Sequence, residues 1–196
     1  MRIAVLCSGG GTNLQALIDA WHNGKFEKGI IALVVASRPN IFALERASAN
    51  NIPAVIVDNR NYKDQGEFDN ALLAQLKSHN IDLVVMAGYM CILGSNVLSA
   101  FEERIINVHP SLIPSFCGKG YYGLRVHKAA LEYGVKVTGA TVHIVNHIVD
   151  GGRILLQKAV DVLPDDTSES LQRRVMEKAE WVILPEAVAM FCRQEI

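Results

Sequence analysis

The segment RIAVLCSGGGTNLQAL, residues 2–17, joins a short apolar run to a glycine loop and the start of an amphipathic helix. An uninterrupted apolar run of this length is typical of a strand that is buried on both faces. A glycine-rich turn between such a strand and a helix is where α/β folds bind phosphate, because free N–H groups at the helix N-terminus attract an anion. The segment therefore predicts the first βα unit of a parallel sheet.

The same alternation of apolar runs and helical patterns continues through the first half of the chain. The predicted strands cover residues 2–8, 30–37, 54–58, 82–88 and 104–109, and the predicted helices cover residues 12–22, 42–50, 65–80 and 96–101. This β-α-β rhythm favours a Rossmann-like, mostly parallel sheet with helices on both faces.

The rhythm changes after Gly123. A predicted helix over residues 124–133 precedes two long strands that are joined by the turn signal Asp150-Gly151-Gly152. Strands linked this tightly must be antiparallel. The final helix is expected to begin near Thr167 and to be kinked or broken by Pro185, with an apolar stripe of Leu171, Val175, Ala179, Val182 and Ile183. The predicted class is therefore α/β, with the parallel sheet extended by a C-terminal antiparallel hairpin.

Length and composition narrow the function classes. A chain of 196 residues, half of them hydrophobic, suits one domain over residues 1–196. The net charge of -1 and the absence of a Lys/Arg block argue against a nucleic-acid or membrane surface. No apolar run reaches the roughly 18 residues of a spanning helix, and the N-terminus is interpreted as a strand rather than a signal. Four scattered cysteines without a C-x-x-C pair predict reduced thiols in a cytoplasm.

The glycine loop does not match the common nucleotide fingerprints. Gly9 and Gly11 fit the first two positions of G-x-G-x-x-G, but Leu14 occupies the third and no acidic residue ends the second strand, which argues against NAD. No Gly-Lys-Ser/Thr follows, so a P-loop is also disfavoured. The remaining hypothesis is a monophosphate held by Gly11, Thr12 and Asn13. The alternative, a tight turn whose glycines serve packing only, stays open.

The fifth predicted strand ends in IINVHP, residues 105–110. Asn107 and His109 are two positions apart, so they share a face at the carboxyl end of a parallel strand, where α/β sheets bind ligands. A carboxamide can donate to a developing oxyanion, and an imidazole can transfer a proton near pH 7. Asp150 is the best candidate to orient that imidazole. The alternative makes Asn107 and His109 turn-capping residues without chemistry.

The other histidines support weaker hypotheses. His143 and His147, predicted on one strand, could share a metal with His109 or Asp150, but four strand residues span roughly 13 Å, too far for two ligands of one ion unless the strand bends. No metal is therefore expected. The remaining histidines are expected at the surface; they are His22, His79 and His127.

Four segments together resemble the phosphoribosylglycinamide formyltransferase family. They are SGGGTNLQAL (residues 8–17), VVMAGYMCIL (84–93), IINVHPSLIP (105–114) and TGATVHIVNHIVDGGRIL (138–155). The resemblance implies a cytoplasmic enzyme that transfers a formyl group from the co-substrate 10-formyltetrahydrofolate to the amine of glycinamide ribonucleotide in purine synthesis. It implies small-molecule partners, no nucleic acid, no membrane and no metal, with a homodimer as a possible assembly.

The resemblance also implies residue roles. Asn107 and His109 polarise the formyl group and stabilise the oxyanion, while Asp150 fixes His109 directly or through water. No acyl-enzyme is implied, and no Ser-His or Cys-His pair suggests one. The resemblance implies a ribonucleotide-binding part over about residues 1–100 and a folate-binding and catalytic part over about residues 101–196. The implied ribonucleotide residues are Gly11, Thr12, Asn13 and Glu180. The implied folate residues are Met90, Cys91, Ile92, Leu93, His143, Val145, Asn146 and His147.

Some features depart from the family pattern or leave a choice. Cys91 stands where many members carry Arg, and the loop over residues 115–123 is longer than in many relatives, which suggests a mobile lid. Lys119 on that loop could meet a phosphate or carboxylate, although a solvated lysine is expected. The resemblance also implies a glutamate near the C-terminus that binds the ribose hydroxyls. Glu180 is preferred to Glu177 because, as in the family pattern, it lies five residues before Pro185 and next to an aromatic residue.

Rival functions share parts of this pattern. A 10-formyltetrahydrofolate hydrolase uses the same Asn-His-Asp set but usually has an N-terminal regulatory domain. Methionyl-tRNA formyltransferase needs a basic C-terminal domain, which a net charge of -1 does not suggest. A phosphate-sensing module without chemistry is the alternative from a different class.

Overall fold

A computed structural model describes all 196 residues. The strands are β1 (Arg2–Cys7), β2 (Ile30–Ala36), β3 (Ala54–Ile56), β4 (Leu83–Met86), β5 (Ile105–His109), β6 (Val137–Ile144) and β7 (Ile154–Asp161). The α-helices are α1 (Thr12–His22), α2 (Phe42–Ala49), α3 (Gln65–Ser78), α4 (Ser95–Ala100), α5 (Leu124–Tyr133), α6 (Ser168–Val175) and α7 (Trp181–Cys192). A 3₁₀ turn covers Asn59–Asn61, and a π-helical turn covers Met176–Glu180.

The seven strands form one mixed sheet in the order β3-β2-β1-β4-β5-β6-β7. β1 is parallel to both β2 and β4, β2 is parallel to β3, and β6 is antiparallel to β7. The predicted α/β class, a mostly parallel sheet with an antiparallel C-terminal pair, is confirmed. No helix combines the length and the apolar character that crossing a membrane would require.

The chain divides into two compact units, one of residues 1–106 with 189–196 and the other of residues 107–188. In the first unit, β1 is buried from Ile3 to Cys7 and α1 buries Leu14, Leu17 and Ile18, so the glycine loop between them has a fixed base. The assignment of a ribonucleotide part and a folate part remains a prediction.

In the second unit, the prediction that the sixth strand runs to Asp150 is wrong. β6 ends at Ile144, and residues 145–153 form a loop before β7. Asn146 Oδ1 accepts a hydrogen bond from the Ile148 amide, and the Gly151 amide donates to the Ile148 carbonyl. These turn bonds use backbone groups that a strand would pair with its neighbour.

The last helix also differs from its prediction. It continues through Pro185, and its irregularity is the π turn at Met176–Glu180, before the proline. A wider turn of this kind, with bonds to the fifth residue, changes the angle between the residues before it and those after it. Val182, predicted on the apolar stripe, is therefore 44% exposed, whereas Glu180 and Leu184 are buried.

Candidate active site

Four polar side chains meet in the second unit, from the end of β5, the end of β6 and the loop that follows β6. Asn107 Nδ2 lies 3.1 Å from Nε2 of His143. The Asp150 carboxylate faces two imidazoles, with Oδ2 3.6 Å from Nδ1 of His109 and Oδ1 3.7 Å from Nε2 of His143. The three residues predicted to be catalytic are therefore brought together, and His143 joins them.

The surroundings of His109 decide where its protons lie. Nε2 is 2.9 Å from the carbonyl oxygen of Phe116, which can only accept, so Nε2 carries a hydrogen. Nδ1 then faces the Asp150 carboxylate at a distance just too long for a direct hydrogen bond. The Phe116 carbonyl and the Asp150 carboxylate therefore hold the ring of His109 from both of its nitrogens.

Asp150 is held in its ionised form. Burial opposes ionisation, but the nearby rings of His143 and His109 and the Gly118 amide together hold the pKa of Asp150 below its ordinary value. The Gly118 amide donates to Oδ2 at 2.8 Å. Asp150 adopts a left-handed backbone conformation, φ 55°, which Asp tolerates better than most residues and which recurs at functional sites.

Gly152 fixes the loop that carries Asp150. A Cβ atom at this position would overlap the carbonyl oxygen of Ile144, so only glycine lets the chain pass so close to the end of β6. The loop therefore returns tightly against β6, and this return brings Asp150 back to His143.

The loop after β5 bonds to both His109 and Asp150. Phe116 supplies the carbonyl for His109, and Gly118 supplies the amide for Asp150. The Ser111 hydroxyl donates to the Ser115 carbonyl at the base of the loop, while Lys119 is exposed. The hydrogen of His109 Nε2 can reach a substrate only if the Phe116 carbonyl gives way.

His127 is not at the surface, contrary to the sequence prediction. It lies on the buried face of α5 with Val126 and Ala130, and neither ring nitrogen has a hydrogen-bond partner. Burial, with a smaller effect from the charge of His109, lowers the pKa of His127 to about 4. Its ring is therefore neutral at pH 7. Single-sequence periodicity gave no sign that a histidine would share this apolar face.

The remaining predicted residues of the second unit lie in two other elements. Val145 is half-buried in the loop after β6, and Asn146 and His147 are exposed there. Glu180 is buried on the π turn, whereas Glu177 is exposed. Histidine, cysteine and carboxylate side chains do not gather in threes anywhere in the structure in a way that could hold a metal ion.

In the first unit, the glycine loop has strict packing demands. Gly11 precedes α1 with φ 69°, and a Cβ atom there would lie 2.9 Å from Cβ of Ala43 on α2. Packing alone therefore explains the glycine, and the phosphate hypothesis rests on the backbone amides. Arg46, which sequence reasoning missed, donates from Nε to the Gly10 carbonyl at 2.9 Å. It places a positive charge beside the loop from α2, 33 to 35 residues away in sequence from Gly11, Thr12 and Asn13.

The segment Met90 to Leu93 is anchored through a serine pair. The Met90 amide donates to Ser8 Oγ at 2.8 Å, and the Ser37 hydroxyl donates to the same oxygen at 2.7 Å. Met90 and Ile92 are 55% and 70% exposed, Leu93 is buried, and burial raises the pKa of the half-buried Cys91 thiol. The Met90 amide is thus already bonded within the protein.

A family model described as "Formyl transferase" matches residues 1–188. The chain belongs to the formyl transferase family. Its resemblance to phosphoribosylglycinamide formyltransferases is confirmed by a Haemophilus influenzae protein of that name, 40% identical over 97% of this chain and 86% of the relative. The glycinamide ribonucleotide transformylase 1 structure from Symbiobacterium toebii is 44% identical, with a TM-score of 0.92 over 99% of this chain and 88% of that one.

Other relatives are longer than this chain. The chain matches 66% of the chloroplastic phosphoribosylglycinamide formyltransferase of Arabidopsis thaliana at 36% identity, and all of this chain is aligned. It matches 14% of the trifunctional purine biosynthetic protein adenosine-3 of Drosophila melanogaster at 40% identity over 96% of this chain. The same formyl transferase unit therefore occurs alone and within larger proteins.

Proposed function

We propose that this protein transfers the formyl group of 10-formyltetrahydrofolate to the amine of glycinamide ribonucleotide, a step of purine synthesis in the cytoplasm. The observation that carries the proposal is that the Asp150 carboxylate lies 3.6 Å from the largely buried imidazole of His109, with Asn107 in the same cluster. A neutral hydrogen-bond donor next to an imidazole that a carboxylate orients suits formyl transfer, which builds negative charge on the formyl oxygen and positive charge on the attacking amine nitrogen.

In the proposed reaction, the ribonucleotide amine attacks the formyl carbon directly. The new C–N bond forms as the formyl C=O electron pair moves onto oxygen, and Asn107 and His109 donate hydrogen bonds to that oxyanion. When the C=O bond re-forms, the bond from carbon to N10 of the folate breaks. The amine loses one proton and N10 gains one, and His109, held by Asp150, is positioned to assist that transfer.

The residues proposed for binding follow the same division as in the family resemblance. The amides of Gly11, Thr12 and Asn13 would hold the phosphate, with support from the charge of Arg46 beside the loop. Glu180 would accept from the ribose hydroxyls. The folate would contact Met90, Cys91, Ile92, Leu93, Val145, Asn146 and His147. Of the folate residues that the resemblance implies, only His143 is left out of this proposal, because it is 2% exposed.

A single assay tests the proposal against its rivals. Purified protein is supplied with 10-formyltetrahydrofolate, with and without glycinamide ribonucleotide, and tetrahydrofolate and formate are measured. We expect tetrahydrofolate to form only when the ribonucleotide is present, without free formate. Formate release without the ribonucleotide would instead indicate a hydrolase, and no turnover in either mixture would favour a binding module.

A further inference from the structure

His143 lies where it controls the orientation of the Asn107 carboxamide. Its ring is 2% exposed, and Nδ1 is 2.8 Å from the carbonyl oxygen of Ile144. Because a carbonyl only accepts, Nδ1 must carry a hydrogen. In the neutral ring, Nε2 is then an acceptor, and the atom next to it, at 3.1 Å, is Nδ2 of Asn107.

This tautomer distinguishes the two ends of the carboxamide. Nδ2 carries two hydrogens, of which one bonds to His143 and the other remains for a substrate oxygen. If the Asn107 carboxamide rotated by about 180°, its oxygen would face the lone pair of His143 Nε2, and the Asp150 carboxylate also lies only 3.7 Å from that nitrogen. Three acceptors would then face one another without a hydrogen between them, so the flipped orientation is disfavoured.

We propose that His143 is a positioning residue for formyl transfer, which holds the Asn107 amide group towards the formyl oxygen. This inference rests on the proposed function of the site, because Asn107 serves as an oxyanion donor only in that reaction. It replaces the expectation that His143 binds the folate ring. Its action is through Asn107, so it should affect turnover rather than folate affinity.

The first test compares two variants that fill similar space. His143→Gln keeps an acceptor at the position of Nε2, through its amide oxygen, whereas His143→Leu removes it. We expect His143→Leu to lower kcat by about tenfold to a hundredfold, less than the roughly 10² to 10³ for complete loss of an oxyanion donor. His143→Gln should recover most of this loss. The folate dissociation constant should change less than threefold in both variants, which corresponds to about 0.6 kcal/mol.

The second test asks whether the effect passes through Asn107. In an Asn107→Ala background, His143→Leu should lower kcat no further, because no carboxamide remains to be oriented. An equal loss in both backgrounds would overturn the proposal. So would a weaker folate affinity with unchanged kcat, which is the result expected for a folate-binding residue.

A third measurement does not depend on activity. Two-bond ¹H–¹⁵N correlation spectra of the ¹⁵N-labelled protein, assigned with His143→Gln, should show the His143 proton on Nδ1 and none on Nε2. A proton on Nε2 would contradict the orienting contact. If the wild-type protein fails to formylate glycinamide ribonucleotide, the proposed reaction fails, while this spectrum still reports on the His143 contact.

Discussion

Nδ1 of His109 and Oδ2 of Asp150 lie 3.6 Å apart, and the two side chains are only 6% and 10% exposed. A charge pair this well shielded from solvent is screened by salt much less than a surface pair. The two groups therefore act together: Asp150 faces the ring of His109, and the charge of His109 helps to hold the pKa of Asp150 below its ordinary value.

Alanine substitutions of the three residues proposed to be catalytic should show this dependence. Asn107→Ala, His109→Ala and Asp150→Ala should each lower kcat by about 10² to 10³ or more, with much smaller changes in substrate dissociation constants. The double variant His109→Ala/Asp150→Ala should lose much less than the product of the two single losses, because Asp150 acts through His109. Steady-state kinetics on folded variants measures this. Losses that multiply cleanly would show that the two residues act independently.

The charge beside the glycine loop should assist ribonucleotide binding. Gly11→Val is a poor probe, because the new side chain would collide with Ala43 and disturb the fold. Arg46→Gln should instead raise the KM for the ribonucleotide severalfold at low ionic strength, and less at about 1 M salt, where charge is screened within about 3 Å. The KM for the folate should stay constant. Arg173→Gln, which removes an exposed charge on α6, is the matched control; an equal effect there would reject a local role for Arg46.

Cys91 tests how the folate is recognised. If backbone atoms of residues 90–93 make the contacts, Cys91→Arg should leave turnover within a few-fold and the folate dissociation constant nearly unchanged. Cys91→Ser serves as a control for the loss of the half-buried thiol. Fluorescence titration with a folate analogue provides the measurement. A large gain in affinity with arginine alone would show that a guanidinium at this position, rather than the backbone, recognises the ligand.

His127 should make the protein acid-sensitive. Its pKa is lowered from 6.5 to about 4 in the fold, so between these two values the unfolded chain binds a proton that the native state does not. Stability should therefore fall as the pH is lowered from 6.5 towards 4, by up to about 1.4 kcal/mol for each pH unit from this group. Urea unfolding at pH 7, 6 and 5 measures the free energy of unfolding at each pH.

The replacement His127→Leu should reduce this slope, because the leucine binds no proton in either state. It should also cost little at pH 7, since the imidazole nitrogens have no partner to lose. Val126→Ala on the same helix is the control: it should lower stability at every pH by a similar amount. An unchanged pH slope in His127→Leu would mean that other groups cause the acid sensitivity.

Periodicity and turn chemistry predicted the fold well. The helices and strands up to β5 end within two residues of their predicted limits, because buried apolar runs and glycine turns specify each boundary locally. The loop after β6 was missed because its residues are as apolar as a strand. Ile148 and Val149 are in fact exposed, and the turn depends on the side chain of Asn146.

The candidate site was predictable only in part. Asn107 and His109 share one strand, so their common direction follows from sequence spacing alone. The contact of His143 with Asn107 depends on the register between different strands, which no local pattern encodes. Arg46 was missed because its contact with the Gly10 carbonyl joins α2 to the loop before α1, and no local pattern encodes contacts between such distant parts of the chain.

The π turn at Met176–Glu180 is equivalent to a one-residue insertion in a continuous helix. Deleting the exposed Lys178 would allow regular α-helix to run from Ser168 to Cys192, while Glu180 and the residues after it keep their direction relative to α6, because the wide turn already absorbs the extra residue. Inserting one residue into the regular part of α7 would instead rotate each later residue by about 100° if the helix stayed regular. The π turn should therefore tolerate the loss of one residue far better than α7 tolerates the addition of one.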